Sequence, residues 1–287
     1  MSKVMSKVMS RGLSVSYYPG CSLEGSAREF DASIRAAANA LGIELRELDD
    51  WSCCGASAAH GASPELALGL AARNLALFER GGRDVVIPCA SCFSRLKSAE
   101  HALLSQAGQP FPFSGRLRLW DLAEFVAQKA VLERLKPLVT RPLSGLAAVC
   151  YYGCLTQRPP KVTGATSPED PQALDSITAA LGAEPYPWSY KTDCCGASLS
   201  LTRPDVVAGL VGRLAAHAAE CGADCLVVGC QMCQANLDSR QPKGASRLPV
   251  LYFTELVGLA LGLPEVGSWL ARHLIDPRPL LAERGLL

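Results

Sequence analysis

The sequence predicts an α/β protein built from two duplicated cysteine-rich halves, each a small, mostly parallel sheet with flanking helices. Three observations predict it. One five-cysteine pattern, Cys then Cys-Cys-Gly then Cys-x-x-Cys, occurs twice: as Cys21, Cys53-Cys54-Gly55 and Cys89-Ala-Ser-Cys92, and as Cys154, Cys194-Cys195-Gly196 and Cys230-Gln-Met-Cys233. Residues 53, 54, 55, 89 and 92 recur 141 positions later, whereas Cys154 lies 133 after Cys21, which places an eight-residue insertion between residues 154 and 194. Around the thiols, short β-branched runs alternate with longer Ala/Leu-rich stretches, as expected of a parallel sheet covered by helices on both faces.

Residues 1–12 carry two lysines but no apolar core of signal-peptide length and read as a flexible tail. The first domain is assigned to 13–140. Ser14-Val-Ser-Tyr-Tyr-Pro-Gly-Cys21 reads as a buried strand running into a glycine-assisted turn that carries a thiol. A helix over 27–41 stops at Gly42. After the Cys-Cys-Gly comes an Ala/Leu-rich helix over 64–80, with Pro64 in its first turn and Gly81-Gly82 at its end. Asp84-Val-Val-Ile87 is a strand leading into the first Cys-x-x-Cys, which opens another helix, and 117–124 supplies a last strand and helix. The linker is Lys136–Gly145, with two prolines and a glycine.

The second domain, 146–263, repeats each step. Ala147-Ala-Val-Cys-Tyr-Tyr-Gly-Cys154 matches the first strand and turn, and a helix over 171–181 stops at Gly182. A helix over 204–220 begins at Pro204 and ends before Gly222, strand Cys225–Val228 leads into the second Cys-x-x-Cys, and 248–255 matches 117–124 at an offset of 131. Residues 264–287 are assigned to a C-terminal helical extension.

Cys21, Cys154 and both Cys-x-x-Cys pairs follow strands, so they gather at the carboxyl edge of a sheet, where open α/β folds bind ligands. The Cys-Cys-Gly loops are expected to fold back over that edge. A Cys-x-x-Cys at a strand-to-helix turn aims two sulfurs at one site, and the helix N-terminus favours thiolate. Adjacent cysteines diverge, which suits two different irons or a bridging role better than one tetrahedral ion. Gly55 and Gly196, lacking Cβ, let the backbone turn sharply or approach an inorganic core closely. An all-thiolate set without histidine favours iron–sulfur or zinc. Structural zinc needs only four ligands, so five thiols per half exceed it; zinc in one half stays open as an alternative.

The bulk composition excludes several classes. At 287 residues, 49% hydrophobic and 19% charged, the chain can bury two real cores. A net charge of +1 provides no basic field for nucleic acid and no polybasic membrane patch, and no apolar stretch reaches the length of a membrane span. A cytoplasmic location is expected, where thirteen cysteines serve as metal ligands or reactive thiols rather than a disulfide frame. No G-x-G-x-x-G, P-loop, Cys-x-x-Cys-His or ferredoxin-type cysteine run is present, so electrons must be exchanged with another subunit.

The pattern C-x31-CCG-x33-C-x2-C followed by C-x39-CCG-x33-C-x2-C resembles the cysteine-rich (CCG) domain family. With two such domains, the chain is similar over roughly 13–260 to the two-CCG-domain subunit family of the heterodisulfide reductases. The resemblance implies two noncubane [4Fe-4S] clusters. One would be held by Cys21, Cys53, Cys54, Cys89 and Cys92, the other by Cys154, Cys194, Cys195, Cys230 and Cys233. In that family the clusters themselves are the catalytic centres, and a substrate disulfide between them takes one electron from each. The implied partners are a ferredoxin-like iron–sulfur subunit and a flavoprotein subunit. Two functions compete within the resemblance: reduction of the methanogenic coenzyme M–coenzyme B heterodisulfide, and sulfur oxidation with a lipoate-binding protein. Arginine outnumbers lysine 20 to 8, which tips the reading toward the sulfur-oxidising type. A quinone-linked electron-relay subunit of a succinate, lactate or glycolate dehydrogenase is the alternative, and a zinc-stabilised assembly module the last.

Outside the motifs, Cys150, Cys221 and Cys225 read as core packing. His60 lies near a ligand loop and reads as a helix-face residue, and His101, His217 and His273 carry no signal. Tyr17-Tyr18 and Tyr151-Tyr152 read as strand-end packing, with shielding of the centres from water as the alternative. Arg28, Arg95 and Arg158 read as solvated arginines.

Overall fold

The computed structural model describes residues 12–56, 58–105, 113–243 and 247–287, so residues 1–11 of the expected N-terminal tail lie outside the described residues. Two four-stranded sheets repeat one topology. In the first, β1 (Leu13–Tyr17), β2 (Ile43–Glu47), β3 (Val85–Ile87) and β4 (Leu119–Asp121) lie in the order β2-β1-β3-β4. In the second, β5 (Ala147–Tyr151), β6 (Glu184–Pro185), β7 (Cys225–Val228) and β8 (Val250–Tyr252) lie in the order β6-β5-β7-β8. Every pairing is parallel, with Leu13 opposite Ile43 and Ile87 opposite Asp121 in the first sheet, and Val149 opposite Leu226 in the second.

Helices α1 (Cys21–Glu24), α2 (Arg28–Ala40), α3 (Ala58–Ala62), α4 (Pro64–Gly81), α5 (Ala90–Ser105), α6 (Leu122–Val126) and α7 (Lys129–Leu135) belong to the first half. Helices α8 (Pro160–Thr163), α9 (Ala173–Ala180), α10 (Pro204–Glu220), α11 (Gln231–Arg240) and α12 (Phe253–Leu261) belong to the second, followed by α13 (Val266–Leu270) and α14 (Arg278–Glu283). Local chemistry sets their ends. Ser63 caps α4 by accepting from the Leu66 N–H at 3.1 Å, with Pro64 in the first turn, where its missing donor costs nothing. Ala67, Ala71, Leu75 and Phe78 recur at helical spacing on α4 and are its buried face.

Strands β2 and β6 were not anticipated from the sequence, for identifiable reasons. β2 alternates Ile43 and Leu45 with Glu44 and Arg46 at an edge, only Ile43 being fully buried. β6 is two residues long and ends in a proline, which an edge strand tolerates. The other six strands fall within a residue of the segments that the sequence assigns to strands.

The halves share one continuous core. Helix α2 packs on α12, and α9 on α6, the same pairing read from either half. Phe30 stacks on Tyr252 with ring centroids 4.1 Å apart, and the Ser33 and Thr254 hydroxyls meet at 2.6 Å beside them, both buried. The segment 140–143 is tied down as well: Thr140 and Arg141 donate their backbone N–H groups to Ala260 and Leu143 donates to Leu181.

Candidate metal centres

Each five-cysteine set collects at the carboxyl edge of its sheet. Cys21 opens α1 directly after β1, Cys53 and Cys54 lie on the loop after β2, and Cys89 and Cys92 bracket the start of α5 after β3. β2 therefore delivers the Cys-Cys-Gly loop to the edge where the other thiols already sit. The strand order changes direction between β1 and β3, and in the second half between β5 and β7, the switch point at which such sheets open a crevice.

Thiol contacts are the same in both halves. Cys21 is hydrogen-bonded to Cys53, Cys54 Sγ lies 3.4 Å from Cys92 Sγ, and Cys92 is bonded in turn to Cys89. In the second half Cys154 is bonded to Cys194, Cys195 Sγ lies 3.8 Å from Cys233 Sγ, and Cys233 is bonded to Cys230. Among the described residues, no three His, Cys, Asp or Glu side chains are grouped so as to hold a single metal ion; the thiols sit in chains of contacting pairs. The all-thiolate donor set, five strong on each side, matches soft iron–sulfur chemistry.

Hydrogen bonding divides each set into thiolate-leaning and thiol-leaning members. The hydrogen bond with Cys92 is the main cause holding Cys89 down at about 6, and the contact with the same group lowers Cys54, with the Arg95 guanidinium adding to it. Cys194 is lowered to about 6 chiefly by Cys154, and Cys195 to about 7 chiefly by Cys233. Their partners in these contacts, Cys92, Cys154 and Cys233, are correspondingly raised. Cys21, Cys53 and Cys194 are exposed and Cys154 is half-buried, whereas Cys54, Cys89, Cys92, Cys195, Cys230 and Cys233 are buried.

The supporting residues were only partly visible in the sequence. The Tyr18 hydroxyl donates to the Ser52 carbonyl at 2.7 Å and that of Tyr151 to the Asp193 carbonyl at 2.6 Å, so each pins the residue just before a Cys-Cys-Gly. Asn74 holds Ser52 from the other side, at 2.9 and 3.0 Å, and Asn236 donates to the Cys195 carbonyl at 2.6 Å. Arg95, far from being a solvated arginine, has a buried Nε with no hydrogen-bond partner. Arg158 pairs with Glu169 and Thr192, while Arg28 is exposed. His60 is exposed, and Cys150 and Cys225 are buried strand residues.

Gly55 and Gly196 take φ of 78° and 77°, the sharp turn expected of them. A Cβ there would meet helix α4 or α10: Ala67 Cα at 3.3 Å, or Leu210 Cδ1 at 2.8 Å. The Gly55 and Gly196 N–H groups donate to Cys53 Sγ at 3.4 Å and Cys194 Sγ at 3.3 Å. Gly20 and Gly153 approach sulfur as well: a Cβ there would stand 2.9 Å from Cys92 Sγ and 3.0 Å from Cys233 Sγ, again at positive φ. The repeated Tyr-x-Gly-Cys of residues 18–21 and 151–154 was the signal for both the tyrosines and these glycines. Gly153→Ala is expected to lose the metal of the second half, about half the total iron if both halves carry four-iron clusters, by iron analysis. Gly145→Ala is the control: its φ is +79° with nothing within 4 Å of an added Cβ, so it carries the left-handed penalty of roughly 1–2 kcal/mol without touching a thiol.

The two Cys-x-x-Cys turns meet. Gln231 Nε2 donates to Cys89 Sγ at 2.9 Å, and Ser91 Oγ lies 3.0 Å from Met232 Sδ. Cys89 thus lies at a seam with the second Cys-x-x-Cys turn, whose Gln231 follows Cys230 directly. Beside the seam, between α5 and the stretch that carries the insertion, is a cavity of about 480 Å³ lined by Phe93, Lys97, Arg118, Asp121, Thr156 and Thr166 among others. Phe93 adjoins Cys92 and Thr156 follows Cys154 by two. Burial pushes the Asp121 carboxyl up to about 7.

Comparison with known proteins places this geometry. The cysteine-rich domain CCG matches residues 15–97 and again 148–238. The chain is 35% identical over 283 residues to the 8-methylmenaquinol:fumarate reductase membrane anchor subunit of Wolinella succinogenes, covering 92% of this chain and 98% of that one. It is 26% identical over 272 residues to a subunit of the ferredoxin/F(420)H(2)-dependent CoB-CoM heterodisulfide reductase of Methanosarcina acetivorans, covering 86% and 89%. A crystal structure of a hypothetical protein from Helicobacter pylori superposes with a TM-score of 0.68 at 12% identity, over 94% of this chain and 56% of that chain, a likeness of fold. Among the described residues no helix is long and apolar enough to cross a membrane.

Proposed function

The chain belongs to the cysteine-rich CCG domain family, and on that premise we propose that it is the iron–sulfur subunit that passes electrons between a quinol and the fumarate- or succinate-handling part of a larger complex. The observation that carries this reading is the seam at which the two Cys-x-x-Cys turns meet, where Gln231 of one donates to Cys89 Sγ of the other. Cys21, Cys53, Cys54, Cys89 and Cys92 would hold one cluster and Cys154, Cys194, Cys195, Cys230 and Cys233 the other. Bound there, two iron–sulfur clusters supply one-electron steps that join a two-electron donor to a two-electron acceptor. The remaining work belongs to the chain. Buried Tyr18 and Tyr151 fix the ligand loops, Gly20 and Gly153 clear space beside sulfur, and the exposed edges at Cys21 and Cys194 offer points of entry and exit.

The quinol reading is favoured because identity is higher and coverage more complete with the fumarate reductase subunit than with the heterodisulfide reductase subunit. The cavity beside Phe93 has the volume of a small-molecule site, and Asp121, raised toward neutrality, is placed to accept a proton released there. Partners on this reading are a flavoprotein subunit and a ferredoxin-like iron–sulfur subunit, since the chain has no nucleotide-binding motif of its own. A second reading, disulfide chemistry at the same seam, is supported by the complete doubled motif and the heterodisulfide reductase relative. Its oxidative form, with a lipoate-binding protein, adds only the arginine-rich composition.

Stopped-flow spectroscopy on the anaerobically purified chain, with the subunits that co-purify, separates these readings. A naphthoquinol analogue is expected to reduce the clusters, and fumarate to reoxidise them through the flavoprotein. Clusters inert to quinol and quinone but reoxidised by the coenzyme M–coenzyme B heterodisulfide would overturn the quinol reading.

A further inference from the structure

Cys89 belongs to the first half, yet its sulfur receives a hydrogen bond from the second. Gln231, the residue after Cys230, is 4% exposed and its Nε2 lies 2.9 Å from Cys89 Sγ across 142 positions of sequence. Its Oε1 is buried with no hydrogen-bond partner. An orphaned buried carbonyl costs roughly 1–3 kcal/mol. Turning the amide over would set that oxygen against a thiolate, so the chemistry of the pair fixes which end faces the sulfur.

The repeat makes this contact one-sided. Ser91 and Met232 are separated by the repeat offset of 141 and touch each other at 3.0 Å, so the local two-fold relating the motifs passes between them. The two-fold counterpart of Gln231 approaching Cys89 is therefore residue 90 approaching Cys230. That residue is Ala90, which has no side-chain donor. The first centre receives an N–H from across the seam, and the second has no corresponding donor at residue 90.

We propose that Gln231 is a positioning residue that raises the reduction potential of the first-half cluster relative to the second, giving electron transfer across the seam a preferred direction, from the Cys154 set to the Cys21 set. Hydrogen bonds to ligand sulfur stabilise the more negative, reduced state of an iron–sulfur centre. A single electron arriving at the second centre oxidises nothing but its donor there and then passes to the first, with no proton required. This inference deepens the iron–sulfur reading and rests on it.

The test is a potentiometric titration, followed by electron paramagnetic resonance, of the full chain carrying Gln231→Met, Gln231→Leu or Met232→Leu, with iron and sulfide measured on each sample. Both Gln231 variants conserve bulk and remove the donor. The midpoint of the first-half centre, identified as the one missing in Cys54→Ser, is expected to fall, shifting the electron distribution between the centres about tenfold, or about 59 mV for one electron. Met232→Leu alters the same seam without removing a hydrogen bond to a thiol and is expected to leave both midpoints in place. Two intact clusters with unmoved midpoints in either Gln231 variant would overturn the inference alone. A wild type without two redox-active iron–sulfur centres would overturn the functional reading and this inference with it.

Discussion

Cys54→Ser is expected to leave the chain with about four irons in place of about eight, and Cys195→Ser to do the same in the other half. Both thiols are buried, and each contacts the second cysteine of its Cys-x-x-Cys, at 3.4 Å for Cys54 and 3.8 Å for Cys195. A serine hydroxyl is a hard donor that stays protonated near neutral pH, so it is a poor substitute for a soft thiolate. The two halves have separate thiol sets, and loss of metal in one is therefore expected to spare the other. Electron paramagnetic resonance of the two variants should retain complementary signals. Cys221→Ser, at a half-buried thiol outside both sets, should keep all its iron. Full iron with an unchanged spectrum in Cys54→Ser would remove Cys54 from the ligand set.

The second large effect lies away from the thiols. His273→Ala is expected to destabilise the protein by about 3–5 kcal/mol, the cost of leaving a buried charge without its partner. The side chains of Glu255 and His273 are 0% and 1% exposed, and His273 Nε2 stands 2.9 and 3.1 Å from the two carboxylate oxygens. Glu255 also accepts the Tyr252 N–H at 2.9 Å in the first turn of α12, and Asp238 accepts the Leu274 and Ile275 N–H groups. These contacts lock the C-terminal segment onto the second half. Replacing both partners by leucine should recover much of the loss, because no charge then remains buried.

The pair also sets a pH dependence. Burial works against the His273 imidazolium, but the hydrogen bond and charge of Glu255 outweigh it and raise His273 above its usual value. Burial raises Glu255, with His273 offsetting part of the rise. Both folded-state values are raised, so both protons are held more tightly in the folded protein. The His273 contribution is thus complete below about 6.5, its unfolded value, and is lost as pH climbs through the higher folded value. Denaturant titrations from pH 6 upward should show that decline in the wild type and its absence in His273→Ala.

Legibility in the sequence followed the physics of each feature. Ten cysteines at repeated spacing could be read directly because cysteine is rare enough for its spacing to stand out, and β-branched runs such as Val85–Ile87 and Cys225–Val228 marked strands buried on both faces. Strand β2 escaped because an edge strand needs only one apolar face, and its short run merges with the polar loop that follows. Gly20 and Gly153 were legible in the repeated Tyr-x-Gly-Cys but are recognised as sulfur-facing only once Cys92 and Cys233 are placed. Gln231 with Cys89 and His273 with Glu255 were not legible at all. Each pair is brought together by tertiary packing between separate elements, and neither glutamine nor histidine carries a local signal of its partner.

The central claim, an iron–sulfur cluster in each half, is tested most directly by elemental analysis of the anaerobically purified chain. About eight irons and about eight acid-labile sulfides per chain are the expected result. About two equivalents of zinc with no iron would contradict it.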